Sequence, residues 1–228
     1  MIETVWMDTA EWTEKELTKA MPFLTSERKE RLNKLKNPSA FRLSVGAGLL
    51  LYFALRKNGL QNRMDEIQKE IHGKPFLPDS GFFFNLSHSG NIALCAFGNV
   101  DLGADIQQIK KTVPQKTAKI LSPQEKEYLK AKEGRGQVEV FYKIWARKES
   151  LMKWDGRGLR LPMQTFSVIQ GNTLVNELTF EGKTISFHEF TLPGYTVSVC
   201  WEQTPFCGLK NTICDKSIKK ILKSEFLR

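Results

Sequence analysis

An alternating segment near the middle of the chain most constrains the fold, because it predicts a strand that carries a carboxylate. Asp105 and Gln107 lie on one face of this strand, and apolar side chains occupy the other face: Val100, Leu102, Ala104 and Ile106. Residues 141–154 predict a helix on which Glu149 and Lys153, four positions apart, share one side. Magnesium is typically bound by one or two carboxylates together with phosphate oxygens and water. A strand acid, a helix acid and a lysine therefore point to phosphoryl-type transfer, rather than to redox chemistry or to hydrolysis by a Ser/His/Asp set.

Each of these acids also has a simpler structural explanation. Asp105 could face solvent, and Glu149 could form a surface pair with Lys153 that contributes only a few tenths of a kcal/mol. Glu125 fits the acid of a capping box that opens a helix at Ser122. These three residues alone are therefore compatible with a metal site and also with ordinary structural roles.

The basic net charge of the chain indicates which classes of partner it can bind. The 228 residues carry a formal net charge of +9, which favours a nucleic acid, an anionic membrane, a phosphorylated ligand or an acidic protein. Basic residues concentrate in residues 28–36 and in the tail 210–228, although each cluster also fits a solvated helix face. A nucleic-acid-binding protein is the first alternative. However, the chain has no recognisable zinc finger, RRM signature or interleaving of aromatic and basic residues.

The N-terminal segment, the apolar runs and the cysteine spacing indicate the cellular compartment and the redox state of the cysteines. The N-terminus has no basic segment followed by an apolar one, so we expect no secretory signal and a cytoplasmic location. The longest apolar runs, such as residues 46–55, are expected to be too short to span a membrane. The cysteines do not form a CxxC pair and are expected to be free thiols: Cys95, Cys200, Cys207 and Cys214.

The order of the predicted elements favours an α+β fold over a doubly wound parallel sheet, because the strands occur in runs. Helices are predicted at about 26–36, 38–58, 62–71, from Ser122, and at 141–154, with a loop at 132–137. Strands are predicted at about 4–7, 82–86, 92–97, 100–107, 165–169, 174–180, 184–191 and 195–201, the second and third of them around a Ser-His-Ser-Gly turn. Gly46 and Gly48 interrupt the second helix and indicate close packing or the approach of a ligand.

Four short strings, in this order, resemble the 4'-phosphopantetheinyl transferases, specifically their monomeric Sfp-type branch. The strings are Gly73-Lys74-Pro75, residues 84–90 (Phe-Asn-Leu-Ser-His-Ser-Gly), Gly103-Ala104-Asp105-Ile106, and residues 145–153 (Trp-Ala-Arg-Lys-Glu-Ser-Leu-Met-Lys). The resemblance extends from about Trp6 to Trp201. Each string is modest alone, and their common order and spacing make the match specific.

This resemblance implies a fold and a reaction. The fold would be two similar α+β halves related by a pseudo-twofold axis, residues 1–103 and 104–228, with coenzyme A in the cleft between them. The enzyme would act as a cytoplasmic monomer that uses Mg²⁺, with Mn²⁺ as an alternative. It would transfer the phosphopantetheine arm of coenzyme A to a serine of an apo carrier protein, releasing 3',5'-ADP. Neither a nucleic acid nor a membrane would be a partner.

The resemblance also assigns the catalytic and metal-binding roles. Asp105 and Glu149 would hold the metal on the diphosphate, and Gln107 would complete its ligands. Glu149 would also act as the general base for the carrier serine, and Lys153 would neutralise charge on the diphosphate. Glu125 would be an additional acid or base.

The remaining site residues would contact coenzyme A. The 3'-phosphate would be held by Arg28, Arg31, Arg42 and His88. The adenine and phosphate side would be lined by Lys74, Pro75, Ser87, Ser89 and Lys148. Acidic carrier proteins would dock near the cleft, at about residues 110–136, where opposite charge speeds the encounter.

The chain departs from the family pattern at two positions. Gln107 stands where the family often has a glutamate, so one negative charge is missing from the metal-binding strand. Leu43 follows Arg42 where a hydroxyl residue is common, and Ser44 is the nearest substitute. The first departure leaves a second alternative open, a coenzyme A-binding or carrier-docking protein without catalysis.

Overall fold

The computed structural model describes residues 1–10, 12–115, 117 and 119–203, and these form two compact units. The first comprises Met1–Glu70 and Pro75–Val100, and the second comprises Ile71–Lys74 and residues 101–203. Each unit combines helices with an antiparallel sheet, which confirms the α+β class. The division at residue 103 and the pseudo-twofold relation stay predictions. The basic tail, Cys207 and Cys214 lie outside the described residues.

The first unit has one long helix packed on a three-stranded sheet of order β1-β5-β4. Its helices are α1 (Glu14–Ala20), α2 (Ser26–Leu32) and α3 (Pro38–Lys57). Its strands are β1 (Ile2–Asp8), β2 (Gln68–Lys69), β3 (Pro75–Phe76), β4 (Phe83–Ser89) and β5 (Ile92–Gly98).

Sequence explains where α3 begins and how it packs. Asn37 caps the helix by accepting hydrogen bonds from the N–H groups of Ser39 and Ala40, and Pro38 occupies the first turn. A Cβ atom at Gly46 would lie 2.6 Å from Cγ2 of Thr9 and 3.0 Å from Sδ of Met7. The prediction of close packing at this glycine is therefore confirmed.

By length and composition alone, α3 could cross a membrane, which differs from the expectation from sequence that the apolar runs are too short. Within the protein, 67% of its most apolar 18-residue window is buried.

The second unit has a four-stranded sheet of order β6-β11-β10-β9 with one long helix against it. The helices are α4 (Pro123–Lys130) and α5 (Gly134–Asp155). The strands are β6 (Leu102–Gln108), β7 (Ile169–Gln170), β8 (Thr173–Leu174), β9 (Glu177–Phe180), β10 (Lys183–Leu192) and β11 (Tyr195–Glu202). Cys200 on β11, like Cys95 on β5, is a buried free thiol, as expected.

The helix α5 packs directly on β6 at Gly103. A Cβ atom at this position would lie 2.0 Å from the carbonyl oxygen of Ser150 and 2.5 Å from the backbone nitrogen of Trp154. Only a residue without a side chain fits there, so Gly103 sets the distance between the strand and the helix that carry the candidate acids.

A fully buried ion pair joins α4 to α5. The ammonium of Lys148 lies 2.8 Å from Oε2 of Glu125, and both side chains are completely buried. The same ammonium donates to the carbonyls of Met163 and Phe166, and Oε1 of Glu125 accepts from the backbone N–H of Val168. Burial lowers the pKa of Lys148, while the glutamate opposes that shift. The pair thus also orders the segment after the helix.

Several predicted elements differ from the structure, and the reasons are specific. Residues 165–168 do not form a strand and only Ile169 of this prediction belongs to β7, because the carbonyl of Phe166 and the N–H of Val168 bond to Lys148 and Glu125 instead of to a neighbouring strand. Residues 62–71 form a 3-10 turn and β2, since pairing of β2 with β3 across Gly73 replaces a continuous helix. The predicted 174–180 strand is split between β8 and β9.

Two further elements were placed wrongly or missed. The predicted loop 132–137 is already helical from Gly134, and Gln137 donates to two carbonyls at the end of α4, which ties the helices together. The helix α1 was not predicted, although Thr13 and Glu16 form a reciprocal capping box that the sequence displays.

We expect Gly103→Ala to lower the free energy of unfolding by about 2–3 kcal/mol, because the added methyl group has to displace backbone rather than a flexible side chain. Denaturant unfolding would measure the change. Gly136→Ala on α5 is the matched control, since nothing lies within 4 Å of its Cβ position. The control should be neutral or slightly stabilising. Equal effects of the two substitutions would contradict the close approach at Gly103.

We expect Lys148→Met to destabilise the protein by about 3–5 kcal/mol, because it leaves the Glu125 carboxylate buried without its cation. Adding Glu125→Gln should recover part of that loss, since glutamine removes the charge and can still accept from the N–H of Val168. Thermal and denaturant unfolding of both variants would measure this. A double variant no more stable than Lys148→Met would show that the unpaired charge is not the cause.

Candidate active site

The carboxylate of Asp105 lies on the face of β6 that packs against α5. Asp105 is 3% exposed and pairs across the sheet with Ser198 of β11, whose hydroxyl lies 3.0 Å from that of Ser150 on α5. The simpler explanation for Asp105, an exposed strand face, is therefore wrong.

Two donors hold the Asp105 carboxylate. The ammonium of Lys153 lies 2.6 Å from Oδ1 and also donates to the carbonyl of Ala104 at 3.2 Å. The side-chain amide nitrogen of Gln107 lies 2.7 Å from Oδ2. The strand acid thus forms a direct ion pair with the helix lysine, a contact that the sequence analysis did not specify.

Glu149 joins this group from the same face of α5 as Lys153. The indole N–H of Trp145, one turn earlier, donates to Oε1 of Glu149 at 3.3 Å. Burial raises the pKa of Glu149, the charge of Asp105 raises it further, and Lys153 and Trp145 lower it. The two acids are therefore close enough to repel each other. The single ammonium of Lys153 offsets only one of their two negative charges.

The side chains of this group supply only some of the ligands that a divalent cation needs. Among residues 1–10, 12–115, 117 and 119–203, no three His, Cys, Asp or Glu side chains come together as a metal site. Asp105 and Glu149 are two oxygen ligands, a number that suits Mg²⁺ when substrate phosphate and water supply the others. Gln107 turns its amide nitrogen towards Asp105, so its role as a metal ligand stays a prediction.

Trp145 is the site residue that sequence reasoning undervalued. Its ring stacks on that of Tyr142, with centroids 5.9 Å apart and planes 13° apart. Its bond to Glu149 was not predicted. The four-residue spacing of Trp145, Glu149 and Lys153, which places all three on one helix face, is the signal that would have found it.

Two arginines of α2 meet at Ser44 of α3 in the first unit. Arg28 donates to the carbonyl and hydroxyl oxygens of Ser44 at 3.0 and 3.4 Å, and Arg31 donates to the same hydroxyl at 3.1 Å. Burial and, to a smaller extent, the charge of Arg31 lower the pKa of Arg28 to about 10, against the opposing effect of Glu27. A Cβ atom at Gly48 would lie 2.8 Å from Cδ of Arg28, so this glycine makes room for the arginine.

The other predicted 3'-phosphate contacts lie elsewhere in the first unit. Arg42 is two residues before Ser44, on the opposite side of α3 at 100° per residue, and lines a cavity of about 490 Å³ with Leu17 and Phe41. His88 is exposed and lies within β4 rather than in a turn, because the turn begins at Gly90. Strand alternation places the buried Ser87 and the half-buried Ser89 on the other face.

The remaining predicted residues have structural partners of their own. Lys74 donates to Oδ1 of Asp101 at 2.6 Å and to the carbonyl of Trp154 at 2.8 Å, so it closes the last turn of α5. Pro75 begins β3. Glu125 accepts from the N–H of Ser122 in the capping box, besides its bonds in the buried pair with Lys148. No side-chain bond of that pair reaches the Asp105 group among the described residues.

Known proteins match the part of the sequence that contains this group. Residues 101–200, which include it, match the model of the 4'-phosphopantetheinyl transferase superfamily. The chain is 30% identical over 193 residues to 4'-phosphopantetheinyl transferase Sfp of Bacillus subtilis (strain 168), covering 82% of this chain and 86% of that protein. It is 26% identical over 188 residues to 4'-phosphopantetheinyl transferase gsp of Aneurinibacillus migulanus, covering 82% and 76%.

A third relative, 4'-phosphopantetheinyl transferase HetI of Nostoc sp. (strain PCC 7120), is 28% identical over 163 residues, covering 68% of this chain and 69% of that protein. These similarities extend over most of the chain and are not confined to the strings around Asp105 and Glu149. The chain belongs to the 4'-phosphopantetheinyl transferase family.

Proposed function

We propose that this protein transfers the 4'-phosphopantetheine arm of coenzyme A to a serine of an apo carrier protein and releases 3',5'-ADP. Family membership supports the reaction class. The observation that carries the proposal is the group of Asp105, Glu149 and Lys153, in which two acids and an ammonium meet. Such a group suits a diphosphate substrate that binds together with a divalent cation, because the acids can hold the cation and the ammonium can face the phosphate oxygens.

Glu149 acts as the general base in this proposal. The serine oxygen attacks the β-phosphorus of coenzyme A, the bond from that phosphorus to the bridging oxygen breaks, and 3',5'-ADP leaves with the electron pair. Glu149 takes the serine proton directly or through water. A carboxylate within hydrogen-bond reach of the serine hydroxyl, directly or through one water, can accept this proton.

Asp105 and Glu149 are the residues that would hold magnesium, or manganese, against the diphosphate. When bound, the ion supplies Lewis-acid polarisation and orientation of the phosphate oxygens. Lys153 places a fixed positive charge beside Asp105, where it can offset the charge that develops on the diphosphate. The fixed position of these groups means that they need not reorganise during the reaction.

Arg28 and Arg31 are proposed to bind the 3'-phosphate of coenzyme A. The guanidinium groups converge on the hydroxyl of Ser44, and among the described residues neither forms a direct ion pair with an acid. An arginine fork grips phosphate oxygens well, since several N–H groups point the same way. Arg42 and His88 stay as further candidates for this contact.

A groove in the second unit is proposed to receive the carrier protein. It is about 940 Å³ in volume, and its walls come from residues 109–113, the start of α5 and the β10–β11 turn. Basic side chains outnumber acidic ones along it, with Glu139 against Lys110, Lys111, Arg135 and Lys143. An acidic carrier protein would therefore be attracted to this groove.

The decisive experiment is intact-mass analysis of an apo acyl carrier protein incubated with this protein, coenzyme A and Mg²⁺. We expect a gain of about 340 Da, the mass of one phosphopantetheine added with loss of water, and no gain in the presence of a chelator. Glu149→Gln should lose most turnover, by at least about 100-fold as for the loss of a general base, while still binding coenzyme A.

Glu177→Gln, an exposed change on β9 away from the proposed docking groove, is the control and should retain turnover. Wild-type rates for Glu149→Gln would remove its assigned role. Coenzyme A binding without mass gain, on both an acyl and a peptidyl carrier protein, would favour the alternative of a binding protein without catalysis.

We expect Arg31→Ala to weaken coenzyme A binding by roughly 10-fold or more, as for the loss of a charged hydrogen bond, and 3'-dephospho-coenzyme A much less. Isothermal titration of both ligands would measure the difference. Lys29→Ala, which removes another basic residue of the same short helix, is the control for general loss of positive charge. Equal losses for the two ligands would place the 3'-phosphate elsewhere.

A further inference from the structure

The hydroxyl of Thr196 is buried and has no hydrogen-bond partner among the described residues. Thr196 is 0% exposed and lies on β11. An unpartnered buried hydroxyl is unfavourable, because it loses its bonds to water and gains none in return. Such a group in a well-packed sheet calls for an explanation.

The sheet register places this hydroxyl beside Gln107. Thr196 is directly opposite Gln107 in the pairing of β11 with β6, and the next position on the same face pairs Ser198 with Asp105. Directly opposed residues point to the same side of a sheet, with Cβ atoms about 4.5–5.5 Å apart. The hydroxyl therefore lies on the same face as the Asp105 carboxylate, one pair further along the strands.

The present bond of Gln107 conflicts with a cation at Asp105. The amide nitrogen of Gln107 lies 2.7 Å from Oδ2, and Lys153 occupies Oδ1. An N–H donor and a cation compete for the same oxygen, since both are positive where they meet it. A cation that approaches Oδ2 thus displaces the Gln107 amide, which then needs another acceptor.

We propose that Thr196 is a positioning residue for the divalent cation at Asp105, acting through Gln107. When the cation takes the place of the Gln107 amide on Oδ2, the amide turns to hydrogen-bond with the Thr196 hydroxyl. The buried hydroxyl of Thr196 would thereby gain a hydrogen-bond partner. This inference rests on the proposed function, because it requires the cation at Asp105 and Glu149.

Direct metal binding tests the proposal without turnover. Free Mn²⁺ would be followed by electron paramagnetic resonance in a titration of the protein with coenzyme A and no carrier protein. We expect Thr196→Val to weaken Mn²⁺ binding roughly 3- to 10-fold, the factor that one hydrogen bond contributes. Thr196→Ser, which keeps the hydroxyl, should bind within about twofold of the wild type by the same reasoning. In a Gln107→Ala background, Thr196→Val should cause no further loss.

Thermal unfolding of the metal-free protein provides a second readout that a merely structural role would not produce. Valine keeps the branched shape and removes the unpartnered hydroxyl, so Thr196→Val should raise the melting temperature by about 2–4 °C. The same change therefore stabilises the fold while it weakens Mn²⁺ binding. A residue that only supported the fold would shift both in the same direction.

Three results would overturn the proposal: wild-type Mn²⁺ binding by Thr196→Val, the same loss with and without Gln107, or a lower melting temperature together with weaker binding. The intact-mass assay separates this failure from that of the proposed function. Metal-dependent transfer by the wild type with any of these results rejects only the role of Thr196. No Mn²⁺ binding and no transfer by the wild type would reject both.

Discussion

The close packing of α5 on β6 at Gly103 is the constraint on which the candidate site depends. The backbone atoms of Ser150 and Trp154 occupy the space where any side chain at Gly103 would lie. Glu149 and Lys153 immediately precede these two contact residues, and this brings them to the next position on the same face of the strand, Asp105. The smallest residue of the strand thus determines which charged residues meet.

Two lysines of α5 form ion pairs with carboxylates, and the two pairs differ in their access to solvent. Lys148 and Glu125 are fully buried, and their other bonds go to backbone groups of the same unit. Lys153 bonds to Asp105 with 28% of its side chain exposed. A charge pair sealed from water holds elements together, because breaking it leaves a charge in an apolar interior. The pair that remains open to solvent can exchange one partner for a ligand.

The parts of the fold that depend on short-range patterns could be predicted from the sequence. The limits of α3 follow from Asn37 and Pro38, and the grouping of Glu149 and Lys153 follows from helical spacing. The outcome for residues 165–169 could not be predicted, since their backbone groups bond to side chains far away in the sequence. The neighbours of Gln107 depend on sheet register, which no local pattern of one strand specifies. Family resemblance supplied residue roles that spacing alone left open.

The bond between Trp145 and Glu149 gives the site its own optical reporter. The indole N–H donates directly to one carboxylate oxygen, and the ring stacks on Tyr142. Indole emission responds to the electric field along the ring, so protonation of Glu149, or capture of its charge by a ligand, changes the light that this residue emits. Occupancy of the site can therefore be followed in the unlabelled protein by tryptophan fluorescence, and comparison with a Trp145→Phe variant isolates the contribution of this residue.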